Sequence, residues 1–501
     1  MTEIDEILKS GDSEKIIYTL QNGRRHFPKP FSSYKEEINP EFHKVMDKAL
    51  RPDKVVKVDA EEEIGQKILD LESDNTLTRL EPVARVSLAI QKLIVTRAVS
   101  FIFGNDVIIN CEPENVTQES ILKAINSVSF DAKIRTINRK VANSIFSTTE
   151  GAELWYVTEE EQAHERYGFK TKFRLKCAEL SPLKGDILYP YFDNNNNLVA
   201  FSREYIIKKL DITQDERYFE TYTAEQIIKW KFDEKWQLCE GYPKQNAIGK
   251  IPIVYGCQRK AEWEDVQGLI ERLEKLLSNF ADTNDYHASP KIFTTGQILG
   301  WAKKGESGAI IEGDKDATAQ YLSWNNAPES VRLEIDTLLK MIYTISQTPD
   351  ISFDSVKGLG NVSGVALKLL FMDAHLKVKE KQEIFDDYLQ RRISIILAFL
   401  AQMNKPFASE CSKIIVEPEI TPFNIEDESA TINILQQATA NKAIMSQKTA
   451  IQRLGYVSDV EKEIAQIQEE ENAISQTEIF NPTNFQNTEN QEEEEENQEE
   501  E

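Results

Sequence analysis

Two stretches in the second half of the chain carry apolar residues at alternating intervals of three and four, and this pattern restricts the fold more than any other feature. In residues 261–288 they are Trp263, Val266, Ile270, Leu273, Leu277 and Phe280, and in residues 328–348 they are Val331, Ile335, Leu338, Ile342 and Ile345. Such spacing gives a helix one narrow apolar seam. The sequence therefore predicts two long seamed helices joined by residues 289–327, in the simplest case an intramolecular helical hairpin.

The first half of the chain mixes helical and strand patterns. Residues 80–103 and 116–149 have helical periodicity, whereas residues 153–239 contain short alternating runs of aromatic and β-branched side chains. Within the latter, YPYFD at 189–193 and LVAFS at 198–202 flank four asparagines, which predicts a hairpin. A calcium loop would need spaced ligands and a terminal glutamate that this stretch lacks. The fold class predicted is α+β.

The remaining segments differ in composition. Residues 1–60 are highly charged and predict an irregular arm with two short helical patterns. ISFDSVKGLGNVSG at 351–364 is a polar loop with three glycines, followed by a long helical pattern at 365–401. Residues 402–473 show three short helical runs, and residues 474–501, rich in Gln, Asn and Glu, predict disorder.

Charge and motif content argue against several function classes. With 59 basic and 84 acidic side chains the formal net charge is −25, which disfavours coating of nucleic acid or anionic membrane by bulk attraction. The five cysteines and five histidines show no metal-ligand spacing. GWAKKGES at 300–307 follows phosphate-loop spacing until Glu306 replaces the required lysine. We expect no catalytic group, cofactor or metal, and neither a secretory signal nor a membrane span.

Four stretches together resemble the portal proteins of long-tailed bacteriophages. They are SFIFGNDVII at 100–109, the 189–193 hairpin with its return strand to Tyr205, GKIPIV at 249–254 and GNVSGVALK at 360–368. IMSQKT at 444–449, followed by Asp459, Glu461 and Glu463, is a weaker fifth. No single stretch is specific, and the resemblance rests on their order across residues 80–470.

The resemblance implies a structural protein rather than an enzyme. It implies a ring of about twelve subunits at one capsid vertex, through which double-stranded DNA passes without sequence specificity during packaging and ejection. Partners would be the terminase large subunit, a head–tail adaptor and the major capsid or scaffolding protein, with no membrane. The protein would be made in the bacterial cytoplasm and become part of the virion. A net negative charge would suit a channel in which DNA slides.

The resemblance also implies a role for each region. Residues 61–260 would be the β-rich wing, and residues 261–288 and 328–348 would be the two stem helices, joined by the clip at 289–327. Residues 349–364 would be the tunnel loop, residues 365–401 a long wing helix and residues 402–473 the crown. Residues 1–60 would be an N-terminal arm, which resembles no stretch of the family. The seam residues would then also contact neighbouring subunits. The tunnel-loop residues facing DNA would be Lys357, Ser355, Gly358 and Asn361, and the clip residues contacting partners would be Trp301, Lys303 and Lys304.

Several alternatives remain open at this stage. Lys303 and Lys304 could instead be solvated, which we favour slightly over a partner contact. Trp301 and Trp324 could form either the clip core, which we favour, or its outer contact. The Glu-rich tail is either an anionic fringe facing DNA or an unstructured end. The whole chain is also compatible with an enzyme of unknown mechanism on an α+β core, or with a helical scaffold or adaptor that lacks a channel.

Overall fold

The computed structural model shows the mixed α+β content that the sequence predicts. It describes residues 3–23, 25–27, 33–58, 70–71, 77–208, 215–287, 292–295, 298–300, 312–313, 318–321, 327–350, 371–423, 428–440, 443–457 and 460–479. The chain divides into two compact units. The first comprises Met1–Leu359 and Leu370–Phe423, and the second Gly360–Leu369 and Asn424–Glu501.

The described N-terminal residues pack on the first unit, and the two short helices predicted for them are present. The two short helical patterns form α1 (Glu3–Lys9) and α2 (Ser13–Gln21). The apolar face of α2, with Ile16, Ile17 and Leu20, is buried against a sheet that includes Trp230 and Trp236. The sequence shows that these helices form, but not which surface their apolar face covers.

The next segments connect this region to the central helices. They are α3 (Tyr34–Glu37), two 3₁₀ turns (Pro40–Phe42 and Lys44–Met46), and the strands β1 (Lys54–Val58), β2 (Asp70–Leu71) and β3 (Leu77–Glu81), which form an antiparallel sheet in the order β1-β3-β2. Arg51, just before β1, and Arg85, just after β3, are joined by a hydrogen bond of 2.7 Å from the Arg85 Nη2 to the Arg51 carbonyl.

The first central helices are shorter than their patterns predict. The helix expected at 80–103 begins only at Ile90 and forms α4 (Ile90–Phe103). The helix expected at 116–149 is two helices, α5 (Val116–Asp131) and α6 (Ile134–Thr148). They are separated at Lys133, which has a left-handed backbone with φ 55°. Periodicity continues across that break because both helices pack on the same core.

Residues 150–257 contain the predicted antiparallel sheets. A separate short strand, β4 (Ile108–Asn110), comes earlier, between α4 and α5. The strands of the two sheets are β5 (Glu150–His164), β6 (Thr171–Leu180), β7 (Ile187–Phe192), β8 (Leu198–Ile207), β9 (Glu216–Tyr222), β10 (Gln226–Asp233), β11 (Lys235–Leu238), β12 (Lys244–Gln245) and β13 (Ile253–Cys257). One sheet has the order β11-β10-β9-β8-β7, with β12 also on β10, and the other has the order β13-β5-β6.

The predicted asparagine hairpin is confirmed. Tyr189 pairs with Ser202 across β7 and β8. In the turn, the Asp193 Oδ1 accepts the backbone N–H groups of Asn195 and Asn197, each at 2.8 Å, and Asn196 adopts φ 63°. The Asp193 carboxylate thus forms a local Asx-type turn, which explains the oxygen-rich sequence without a bound cation.

The first unit is layered around these sheets. α2 covers one face of the β7–β11 sheet, and the other face packs on the β13-β5-β6 sheet through side chains such as Leu188, Phe201 and Ile253. The second sheet contributes Trp155 and Val254 to a larger core that it shares with the long helices. Each sheet is therefore buried on both faces over part of its area.

The second half of the first unit is mainly helical. Its elements are a 3₁₀ turn (Glu264–Val266), α7 (Gln267–His287), β14 (Ile292–Thr295), β15 (Ile298–Gly300), β16 (Glu312–Gly313), β17 (Thr318–Tyr321), α8 (Ala327–Ile345), α9 (Met372–Met403), a 3₁₀ turn (Lys405–Phe407), α10 (Ala408–Cys411) and β18 (Glu417–Glu419). β14 pairs with β17, β15 with β16 and β18 with β4. Residues 402–423 belong to the first unit, in which β18 pairs with β4, whereas the predicted crown segment begins at residue 402.

The second unit contains three short helices, as predicted. They are α11 (Glu428–Thr439), α12 (Gln447–Leu454) and α13 (Val460–Ile479). α13 extends six residues into the tail predicted to be disordered, and residues 480–501 lie outside the described part. Among the described helices, none is long and apolar enough to cross a membrane.

A buried ion pair joins the long helix α9 to the sheet. Arg392 donates to both carboxylate oxygens of Glu153 on β5, with both distances 2.7 Å, and to the Asn138 Oδ1 on α6 at 2.6 Å. The side chains of Arg392 and Glu153 are 4% and 0% exposed. Burial disfavours the charge of Arg392, but the Glu153 carboxylate outweighs this effect and raises the pKa of the guanidinium. The pair fixes the position of α9 on the sheet.

We expect Arg392→Met to lower the free energy of unfolding by about 3–5 kcal/mol, because Glu153 would remain buried without its partner. Lys379→Met on the exposed side of α9 is the matched control and should change it by less than ~0.5 kcal/mol. Urea unfolding of the full chain followed by circular dichroism measures both values. Equal stabilities of the two variants would contradict the role assigned to the pair.

Candidate functional site

The two seamed helices pack together, and most of their predicted seam lies inside the main core. Trp263, Val266, Ile270, Leu273, Leu338 and Ile342 are buried there, Leu277, Val331 and Ile335 pack against it, and Phe280 is half-buried. Trp263 and Val266 stand before the start of α7, in and next to the 3₁₀ turn, rather than on the helix. Ile345 departs from the predicted seam, with 52% of its surface exposed. Leu276, which the pattern missed, is buried.

One face of α7 carries a polar stripe formed by Glu274, Ser278 and Asp282, spaced four residues apart. Their side chains accept the backbone N–H groups of Leu88, Val86 and Ala84 at 2.8, 2.9 and 2.7 Å. These bonds hold residues 82–89 in an extended conformation along α7, which explains why the predicted helix at 80–103 starts late. The i, i+4, i+8 spacing places these three acceptors on one face of α7, but it does not indicate which segment of the chain they bind.

The N-terminal segment covers the same helix through a second set of contacts. The Trp263 Nε1 donates to the Glu37 Oε2 at 3.0 Å. Arg51 donates to the Asn279 Oδ1 at 2.8 Å and to the Asp282 Oδ2 at 2.7 Å. With residues 37–51 and 82–89 both bound, this side of α7 is occupied by the chain's own N-terminal third.

His43 is the most buried polar contact of that segment. Its Nδ1 lies 2.6 Å from the Glu274 Oε1, and its Nε2 lies 2.7 Å from the Glu37 carbonyl oxygen. Because both neighbours are acceptors, both ring nitrogens must carry a proton for both bonds to form. Burial opposes this charge, but the hydrogen bond and charge of Glu274, with a further contribution from Glu271, raise the pKa of His43.

A buried cluster of charges connects α9 to the residues just before α7 and just after α8. We call it the charged joint and define it as Glu262, before α7, and Lys377 and Lys381 on α9. The Glu262 carboxylate contacts the two ammonium groups at 2.6 and 2.8 Å, and the Lys377 Nζ also donates to the Ser346 carbonyl at 2.9 Å. Burial alone would raise the pKa of Glu262, but the two lysines outweigh it and hold this pKa below its usual value.

Several large apolar side chains of α8 are exposed to solvent. Leu333, Met341 and Ile345 are 69%, 48% and 52% exposed and follow one row of the helix at spacings of eight and four residues. With 3.6 residues per turn this row rotates by about 120°, from the side opposite the core at Leu333 to the edge of the core-facing side at Ile345. We call these three residues the outer stripe. Met372 and Leu376, at the start of α9, are also about half exposed, at 50% and 52%. An aligned set of large exposed apolar side chains is typical of a surface that another chain covers.

The residues predicted to face DNA or other partners lie outside the described part of the chain. These are Ser355, Lys357, Gly358 and Asn361 of the loop, and Trp301, Lys303 and Lys304 of the segment between the two helices. The described residues on either side of the loop are well anchored. Arg97 donates to the Pro349 carbonyl at 2.5 Å, and Phe371 packs on Phe101 with ring centroids 5.6 Å apart.

The described part of the chain also contains a wide cleft between the α5–α6 turn and α9, with a volume of about 830 Å³. Its charged side chains bond one another, because the Asp131 Oδ1 accepts from Arg166 at 3.0 Å and from Arg174 at 3.1 Å. In this part of the chain no group of His, Cys, Asp or Glu side chains is arranged to hold a metal ion. The cleft is thus lined by apolar and uncharged polar side chains as well as by these paired ions.

We expect the contribution of His43 to stability to depend on pH. The folded-state pKa is raised above the ordinary value of 6.5, so the contribution is present below that pH and is lost as the pH rises through the folded-state pKa. The free energy of unfolding of the wild type should therefore decrease as the pH rises through the pKa of His43. His43→Gln should remove this decrease, whereas His26→Gln should retain it. Urea unfolding at a series of pH values measures the slopes, and equal slopes for wild type and His43→Gln would contradict the assignment.

Comparisons with known proteins agree with the resemblance found in the sequence. Residues 34–477 match the family described as "Phage portal protein, SPP1 Gp6-like". The portal protein of Bacillus phage SPP1 is 21% identical over 436 residues, which is 81% of this chain and 78% of that protein. A solved structure described as "Neck of empty GTA particle computed with C6 symmetry" aligns with a TM-score of 0.41 and 8% identity, over 73% of this chain and 88% of that one. Since the family match spans most of its length, the chain belongs to the SPP1 Gp6-like phage portal proteins.

Proposed function

We propose that this chain forms a ring with a central channel at one vertex of a phage capsid, and that double-stranded DNA enters and leaves the capsid through it. Membership of the portal family supports a portal role, and portal proteins are structural. The observation that carries the proposal is the outer stripe of α8. Its three exposed apolar residues need a partner, and a neighbouring copy of the chain supplies one in a ring.

The coverage of α7 indicates which helix makes the ring contact. The core side of α7 is buried within its own subunit, and its polar stripe binds residues 82–89 and Arg51. We therefore assign the contact with the next subunit to α8, together with Met372 and Leu376 at the start of α9. In a ring, each subunit contacts its two neighbours through two different, complementary surfaces. The outer stripe of one subunit would therefore pack against a different surface of the next subunit.

The proposed path of DNA rests on charge and on the position of the loop. A chain with a net charge of −25 holds phosphates weakly overall, which favours sliding. Lys357 is the only basic residue of the sequence 351–364, and Ser355, Gly358 and Asn361 accompany it. The anchoring of Pro349 by Arg97 and of Phe371 by Phe101 supports a loop presented from a fixed base. We propose that Lys357 approaches the DNA backbone.

The remaining partners follow from the same assignment. In it, α7 and α8 form the stem, and residues 289–327 form the clip, where Trp301, Lys303 and Lys304 would meet the terminase large subunit and later the head–tail adaptor. The β-rich residues would form the wing, and the second unit the crown, within a shell of major capsid and scaffolding protein. The protein would be synthesised in the host cytoplasm and retained in the virion.

Negative-stain electron microscopy with light scattering of the purified full chain tests the proposal. We expect rings with an axial hole and a mass of about twelve subunits. A chain that remains monomeric at every concentration, alone and with its capsid protein, would overturn it and favour the helical adaptor or the enzyme.

We expect Met341→Glu to weaken ring assembly, because the subunit contact would bury a charge in place of an apolar side chain. Loss of about 1.5–3 kcal/mol per contact raises the concentration for half-assembly by roughly 10- to 100-fold. Tyr18→Glu makes the same kind of change at an exposed position of α2 and should assemble normally. Light scattering across a dilution series measures the midpoints, and equal midpoints for both variants would contradict the assigned contact.

We expect Lys357→Glu to leave the rings intact and to reduce DNA packaging, because a carboxylate would repel the phosphates. Lys235→Glu, at an exposed position of β11, introduces the same change of charge outside both the loop and the proposed subunit contact and is the control. Packaged DNA per particle, measured after complementation of a phage lacking its own portal gene, distinguishes the two. Normal packaging by Lys357→Glu would remove this lysine from the proposed DNA path.

A further inference from the structure

The second unit buries very little apolar surface within one chain. Among its described side chains, Leu435 and Ala450 are the ones less than a tenth exposed, at 5% and 6%. Two of its three described helices are short, because α11 has twelve residues and α12 has eight. Isolated helices of this length are marginal in water and depend on tertiary packing for their stability. A core of this size is small for a unit of three helices.

Large apolar side chains of the same unit are exposed at ordered positions. Ile444 is 91% exposed, and its backbone N–H donates to the Ala438 carbonyl at 2.9 Å. Tyr456 is 64% exposed and directly follows Gly455, the left-handed residue that ends α12. Ile434 on α11 is also 64% exposed. These residues flank α12 at both ends and on the neighbouring helix, so apolar surface surrounds it.

The charges of the second unit are separated between two helices. The sequence of α12, QKTAIQRL, carries two basic residues and no acidic one. The sequence of α13, VEKEIAQIQEEENAISQTEI, carries six glutamates and one lysine. Within one chain, Lys448 of α12 contacts Glu461 of α13 at 2.9 Å. Arg453 at the other end of α12, and Glu469 and Glu470 on α13, are exposed.

We propose that a second copy of this chain completes the second unit. The basic end of α12, with Arg453, lies against Glu469 and Glu470 of α13 in the next copy, and this contact covers Ile444 and Tyr456. The two surfaces are different and opposite in charge, as a heterologous contact that closes a ring requires. This inference rests on the proposed function, because the ring supplies the neighbouring copy.

The proposal has a structural consequence for the whole second unit. Because its core within one chain is so small, its helices open readily in a single subunit and become stable when rings form. The first unit, with its three apolar clusters, keeps its own stability in either state. Assembly should therefore slow amide hydrogen exchange in residues 428–479 much more than in α6 or β5.

Hydrogen exchange of the full chain, measured by mass spectrometry in rings and in dissociated subunits, tests this inference. We expect at least tenfold slower exchange in residues 428–479 of the ring. Arg453→Glu should remove most of that protection, and so should the double variant Glu469→Lys with Glu470→Lys. Combining all three changes should restore it, because the charges are then exchanged between the two surfaces. Lys235→Glu, a reversal on an exposed residue of β11, should have no effect.

The outcomes separate this inference from the proposed function. Rings in which residues 428–479 exchange as fast as in single subunits would overturn the inference alone. Rings whose protection survives Arg453→Glu, or is not restored in the combined variant, would also overturn the assigned contact. Absence of rings under all conditions would overturn both proposals.

Discussion

The buried carboxylate of Glu274 is the contact on which the arrangement of the first unit depends. It lies on α7 with 1% of its surface exposed, and its Oε1 receives the backbone N–H of Leu88 and the ring Nδ1 of His43. A carboxylate is stable at such a depth only when donors satisfy it. Satisfying Glu274 therefore requires two segments of the N-terminal third to lie on α7. This coverage is the basis for proposing that α8 makes the contact with another chain.

Two further sets of buried ion pairs fix the position of α9 in the same way. The Glu262 carboxylate, which precedes α7, contacts Lys377 and Lys381 on α9. Lys377 also donates to the Ser346 carbonyl just after α8, and Arg392 fixes α9 to Glu153 in the sheet. Each pair is costly to break because the remaining charge would stay buried. The helical pair, the long helix and the sheet are thus held as one body. In a portal ring, force applied to the helical pair would reach the sheet through these contacts.

The sequence predicts the parts of the fold that have a local signal. The seams of α7 and α8 and the hairpin at Asp193 follow from spacing and turn chemistry within one segment. The late start of α4 was not predictable, because the N–H groups of Ala84, Val86 and Leu88 are bound by side chains almost 200 positions away. The helical patterns of α1 and α2 are visible, but the sheet that buries Ile17 is assembled from distant strands.

The candidate site was predictable to a lesser degree for the same reason. Apolar periodicity identifies Ile342 as a core residue, and the structure buries it, but the same periodicity places Ile345 in the seam although it faces solvent. Which apolar face of α8 remains uncovered depends on what packs against the other one. The charged joint gave no local signal, since Glu262 and Lys377 lie more than a hundred residues apart and are ordinary charged residues in the sequence. Family resemblance supplied the functional context that local patterns lack.

The central claim is that α7 is covered by its own chain and that α8 makes the subunit contact of the ring. A cryo-electron microscopy map of the assembled particle, at a resolution that shows side chains, tests it most directly. The account predicts a ring in which Leu333, Met341 and Ile345 are buried against the neighbouring subunit, while His43 remains on Glu274 of the same chain. A ring in which the outer stripe faces solvent, or in which α7 instead of α8 meets the neighbour, would contradict it.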